Sequence, residues 1–554
     1  MDRESMTNEE NYHFDIAGYL IVRGALTPRE VETLNQALDR AGRTEGMLGF
    51  PAPLREPFRD LMVHPILVWH LNQIINYGFR LDRQPVLLGS PQDSLGSDLV
   101  GGNEPRDPAR AYYHQNGRRV CMGARAIWAL SDVNKGDGGF VVVPCSHKSN
   151  VETPQDISTG KDDLGLTVQP VLKAGDLLIV AATLLQGMRP SKRPQRLLSY
   201  EYLGRAAIGS IGTGPDTEKD PYPEWMSALT PVQRASLYKP GYRSTYPPPT
   251  IRTDGKACKL DESRRVFHPS IYIKDPHSTI DEKEFYFWDL CGYLVVRNVM
   301  TPDELKLANE AIDRFEDKIV VGEELAAGSR SMAGTGRPLL SNLLELPRPY
   351  CEPFWKMIAH PVVEHRLNWM GASGGRCGGP TAFCSVKGTS GHALHSNNEP
   401  LYPQMGYVFQ NGRSYDQAVT VAWQLRDVLE GLGGFACVPG SHKAFYPMPP
   451  GIRSCDDDMG LVVQPVMKAG DVLFFADGAT THGALAWKND IPRRGLLIKY
   501  SSRNFHRSGG DMVHPHVRWG DLVEDMTDAQ LAVMRGPDRD VREHNVPRLI
   551  VKDG

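Results

Sequence analysis

The feature that most constrains this chain is that it resembles itself. Leu99 to Lys148 matches Leu394 to Lys443 at a constant offset of 295 residues, without a gap, with 23 of 50 positions identical. Shared blocks include Asn103-Glu104-Pro105 with Asn398-Glu399-Pro400, Gln115-Asn116-Gly117-Arg118 with Gln410-Asn411-Gly412-Arg413, and Gly138-Gly139-Phe140 with Gly433-Gly434-Phe435. Both blocks end in Ser-His-Lys, and Lys173-Ala174-Gly175-Asp176 later pairs with Lys468-Ala469-Gly470-Asp471. A solenoid repeats every 20–50 residues or so, whereas so long a period implies two copies of a whole domain. A length of 554 residues agrees, because one core of that size divides into domains.

Each copy opens alike. Gly18-Tyr19-Leu20-Ile21-Val22-Arg23 is followed by Thr27-Pro28, and Gly292-Tyr293-Leu294-Val295-Val296-Arg297 by Thr301-Pro302. This reads as a strand and then a helix, with threonine at the N-cap and proline in the first turn, where its missing N–H costs nothing. The expected helices run over 28–42 and 302–317. Further on, 124–133, 140–143 and 177–180, with 418–428, 435–438 and 472–475, are short apolar or β-branched runs bounded by Gly-rich turns. Several short strands preceded by helices predict an α+β, mainly β fold: two double-stranded β-helix (jelly-roll) domains, each buttressed by helices. The expected boundaries are 1–255 for the first domain, 256–285 for a linker rich in proline and charge, and 286–554 for the second.

Composition narrows the function classes. A formal net charge of -4 with 23% charged residues points to neither a nucleic-acid partner nor a membrane surface. Nine cysteines without a C-x-x-C pair indicate neither a disulfide framework nor a zinc knuckle, and the polar N-terminus lacks an apolar signal segment. The expectation is a cytoplasmic protein acting on a small molecule, with the two repeats packed on each other and an oligomeric state left open.

The stretches Val419 to Lys443 and Gly470 to Tyr500 carry Gly-Gly-Phe, Pro-Gly-Ser-His, Ala-Gly-Asp, Thr-His-Gly and Arg-Arg-Gly-Leu-Leu in that order. In this composite the chain resembles the phytanoyl-CoA dioxygenase family of Fe(II)/2-oxoglutarate enzymes. The resemblance implies a first histidine, a carboxylate two positions on, a distal histidine and an arginine about eleven residues later. In the second copy these fall on His395, position 397, His482 and Arg493. Two imidazoles and a carboxylate would hold one face of Fe(II), leaving positions for 2-oxoglutarate and O2. The arginine would fork onto the far carboxylate of the cosubstrate, and the cofactor pair would carry the difficult step. Arg494 is the alternative clamp, because neighbouring strand residues face opposite ways.

Position 397, however, is Asn397. Glu399 could supply the missing carboxylate, water or halide could fill the place, or the metal could be held weakly or not at all. The first copy departs further: Val100 stands opposite His395, Gln186 opposite His482 and Gln195 opposite Arg493. It is expected to be a degenerate partner. His147, His442, His64 and His360 recur in both copies and are read as structural. Two other readings stay open: a non-catalytic binding or scaffold protein, and a cupin-like metal isomerase or hydrolase.

Overall fold

In the computed structural model, residues 5–75, 79–89, 96–104, 110–115, 118–204, 228–230, 280–326, 328–371, 376–395, 399, 405–410, 413–501 and 520–534 are described, with a few positions between 233 and 258. The chain forms two compact units, Met1–Lys274 and Asp275–Gly554. Most of the expected linker, and Asn397, lie outside the described residues. The helix Glu282–Cys291 begins inside the range read as linker, because Asp281 caps it by accepting from the N–H groups of Lys283 and Glu284.

The first unit is built on an antiparallel sheet in the order 19–22, 177–181, 123–129, 197–204, 79–81, with 86–88 also against 197–204. A smaller pair joins Gly139–Val143 to Leu185–Arg189. The second unit has the order 293–296, 472–476, 418–424, 495–501, 381–383, 338–340, 320–321. Its smaller sheet is three-stranded, with His482–Leu485 between His392–His395 and Gly434–Cys437. Each unit thus pairs a larger antiparallel sheet with a smaller one.

The helices form where the caps require. Thr27 and Thr301 accept from the N–H of Glu30 and Glu304, and each glutamate reaches back to the threonine N–H, a reciprocal capping box. The helices end at Ala41 and Arg314. The second therefore stops three residues short of the expected end, and Glu316–Lys318 continues as a 3-10 turn. The strands likewise end early, at Ala129 and Gln424, where the chain turns toward Gly136 and Gly431.

Helices pack on the larger sheets through aromatic side chains. Trp128 and Trp423 are fully buried, each edge-on to the histidine preceding a helix, His64 and His360, at 5.2 and 5.3 Å. The Tyr200 hydroxyl donates to the Phe58 carbonyl (2.8 Å), and the Tyr500 hydroxyl donates to the Ile358 carbonyl (2.9 Å). These bonds satisfy helix-end carbonyls that have no partner within the helix. His147 and His442 sit equally deep, their Nε2 atoms 3.0 and 2.9 Å from the carbonyls of Asp15 and Asp289. Both pairs of recurrent histidines therefore occupy packing positions.

Candidate active site

His395 ends one strand of the small sheet of the second unit, and His482 begins the strand beside it. The two are directly opposed in the antiparallel register, with ring centroids 4.4 Å apart. Their orientation is fixed from behind. His395 Nδ1 lies 3.1 Å from the Ala393 carbonyl and His482 Nδ1 lies 2.8 Å from the Thr480 carbonyl. A carbonyl can only accept, so each Nδ1 carries a proton, and in the neutral ring this leaves on Nε2 the lone pair that a metal ligand needs. Burial first, and charge on His482 second, hold the His395 pKa down to about 4, so its ring is neutral at pH 7.

His482 Nε2 lies 3.4 Å from Asp477 Oδ1. A lone pair set against a carboxylate oxygen is repulsive unless a cation is shared between them, as a bound metal or proton would be. Asp477 is almost wholly buried and also pairs with Lys499 at 3.4 Å. Among the described residues it is the only carboxylate lining the cavity of about 240 Å3 onto which both histidines open. Among the described residues, no set of three or more His, Cys, Asp or Glu side chains is already arranged to hold a metal ion.

Arg493 lines the same cavity. It is 8% exposed, and among the described residues its Nε lacks a hydrogen-bond partner. Desolvation pulls its pKa down to about 10, and it still remains a cation at neutral pH. A buried guanidinium without a counter-ion is costly unless an anion joins it. Gly434 makes room for it: at φ 89°, a Cβ there would lie 3.2 Å from Arg493 Nε. The Gly-Gly-Phe motif thus keeps the arginine's berth clear. Arg494 points elsewhere, donating to Asn309 Oδ1 (3.1 Å) and pairing with Asp313.

Glu399 lies apart from this arrangement. One carboxylate oxygen accepts from the Met448 N–H, and the other accepts from Arg453 Nη2 at 3.3 Å. In the first unit, Val100 and Gln186 form the corresponding bridge. Gln186 spends its amide on the Leu184 carbonyl, and Gln195 donates to the Gly138 carbonyl.

Four ionisable lining residues escape the sequence reasoning: Asp477, His392, Arg337 and Lys499. The His392 ring lies tilted against His395 with centroids 4.5 Å apart, and burial, with the charges of His395 and Arg337 behind it, drops its pKa to about 3. A signal for Asp477 was present. Counting one residue on from the paired Ala181 and Ala476, both of which bond to the glycine after the first helix of their unit, its counterpart is Ala182. The aspartate is therefore lost in the same copy as both histidines.

Residues 288–495 match the model of a family described as phytanoyl-CoA dioxygenase (PhyH). No curated protein matches the chain. Among solved structures, HygX from Streptomyces hygroscopicus with nickel and 2-oxoglutarate bound is 22% identical, covering 38% of this chain and 92% of that one, with a TM-score of 0.33. The non-heme alpha ketoglutarate dependent epimerase SnoN from nogalamycin biosynthesis is 20% identical, covering 40% and 83%, with a TM-score of 0.31. AviO1 from Streptomyces viridochromogenes Tue57 is 16% identical, covering 41% and 96%, with a TM-score of 0.31. No described helix is long and apolar enough to cross a membrane.

Proposed function

We propose that the second unit is an Fe(II)/2-oxoglutarate-dependent oxygenase that oxidises a small organic molecule, and that the first is a copy of the same jelly roll without a metal site. The observation that carries this is the opposed pair His395 and His482, each ring pinned through Nδ1 so that Nε2 opens onto the cavity. The match of residues 288–495 to the PhyH family model supports the same reading.

His395 and His482 would supply two nitrogen ligands. Asp477 is the lining carboxylate best placed to stand in for the acid missing at Asn397. Arg493 would receive the far carboxylate of 2-oxoglutarate as a planar, bidentate partner, the anion its buried charge lacks. When bound, the metal and cosubstrate together supply the oxidising power. The protein's own share is to orient the cosubstrate through Arg493 and to shield the site with Phe435 and Phe475, which pack against His482 with centroids 6.4 and 4.6 Å away.

Metal analysis of the full-length protein beside His482→Ala tests the reading. The wild type should hold iron after anaerobic reconstitution, and the variant should lose at least nine-tenths of it, together with the visible charge-transfer band that 2-oxoglutarate adds. Equal iron in both refutes the ligand set. A second reading, a non-catalytic binding protein, draws on the absence of a ready three-ligand set among the described residues. It forecasts that 2-oxoglutarate gives no such band even at saturating Fe(II).

A further inference from the structure

The two units differ in length at one informative place. Thr27 and Thr301 stand 274 residues apart (301 minus 27), but His64 and His360 stand 296 apart (360 minus 64), so the second unit carries 22 additional residues between its helices 302–314 and 352–358. This segment runs beside the strand that bears His395. The N–H groups of Ser390, Gly391 and Ala393 donate to the carbonyls of Thr335 (2.8 Å), Met332 (2.8 Å) and Leu325 (2.9 Å), and the segment adds the strands Val320–Val321 and Pro338–Leu340 to the larger sheet. The segment therefore lies against the strand of His395 and brings one residue, Arg337, to the cavity lining, in the unit that keeps its histidines.

Arg337 is the charge this segment contributes. It lines the cavity with His392 and Phe383, its Cζ 5.9 Å from the centre of the Phe383 ring. Its Nε is buried without a hydrogen-bond partner, and it makes no ion pair among the described residues. Among the described residues the lining holds three basic side chains, Arg337, Arg493 and Lys499, against one carboxylate, Asp477. A divalent metal and a dianionic cosubstrate cancel each other and leave that positive excess in place. If Arg493 takes the far end of the cosubstrate and the metal takes the near end, no group on the cosubstrate remains for Arg337.

We propose, building on the oxygenase reading, that Arg337 is a specificity-determining residue that binds an anionic group, carboxylate or phosphate, on an otherwise apolar substrate lying against Phe383. A guanidinium recognises such a group by paired N–H donors, and over an aromatic face it is already part-desolvated, which strengthens the contact.

The test uses the full-length protein and two probes of matched shape, phenylacetate and its neutral amide phenylacetamide, titrated by calorimetry with and without Co(II) and 2-oxoglutarate. Wild type should bind the acid at least ten-fold more tightly than the amide. Arg337→Met and Arg337→Gln should both erase that preference and leave the 2-oxoglutarate affinity of the Co(II) form within two-fold; Arg493→Met should do the reverse. Two substitutions guard against one that fails to fold, which thermal melting would reveal. The proposal is overturned if wild type shows no preference for the acid, if both Arg337 variants keep the preference, or if they lose 2-oxoglutarate instead. Failure of wild type to bind Co(II) or 2-oxoglutarate would sink the oxygenase reading alone, since the titration without them still reports on Arg337.

Discussion

Single residues at this site do work that their neighbours cannot. Arg493 and Arg494 are adjacent and chemically identical, yet only the first reaches the cavity, because successive residues along an extended chain alternate in direction. Its place depends on Gly434. Gly434→Ala should cost about 1–2 kcal/mol from the left-handed φ alone and push Arg493 aside, lowering 2-oxoglutarate affinity, measured by titration of the Co(II) form. Asp477→Ala should reduce iron affinity by ten-fold or more if that carboxylate completes the site; unchanged affinity would show that another group does. Away from the site, Glu364 is 5% exposed and desolvation raises its pKa from 4.5 to about 7. The folded state then retains a proton that the unfolded chain has released, so stability falls as pH rises between about 4.5 and 7 and stays lower above. Glu364→Gln should flatten that slope and raise stability at pH 8 by roughly 1–3 kcal/mol, read from denaturant midpoints across pH.

At the scale of elements, turns and caps are legible in the sequence because their chemistry is local. The Lys-Ala-Gly-Asp turn is one example. Asp471 accepts from Arg297 Nη1 (2.7 Å), the Asn298 N–H (3.0 Å) and the Lys468 N–H (2.8 Å), and Asp176 accepts from Arg23, Gly24 and Lys173 in the same way. It ties the chain after the first strand to the start of a central strand. Asp471→Ala leaves those backbone donors unpaired and should lower stability by about 2–3 kcal/mol, measured by urea unfolding. The segment carrying Arg337 is not legible. Its sequence, with Gly322, Gly334 and Gly336 around short apolar pieces, has no strong period of its own, and its strands exist only because the edge at 381–383 and the ligand strand offer free backbone groups to pair with.

For the molecule as a whole, two units of related sequence carry unequal chemistry. Where the second opposes His395 to His482, the first opposes Val100 to Gln186, and Gln195 spends its amide on backbone where Arg493 stays open. Iron bound after reconstitution should therefore not exceed about one ion per chain, the number expected from a single pair of imidazoles, and Gln186→His by itself should add none. Elemental analysis decides both. The sequence by itself determined the repeat, the capped helices, the main strand segments and the inequality of the copies, since these rest on near neighbours along the chain or on comparison of one copy with the other. Only the tertiary structure decided that Glu399 is tied to Arg453 and that Asp477 and Arg337 reach the cavity. Which side chains meet there depends on strand pairings between residues as distant as His395 and His482, and pairing of that range is written in no local pattern.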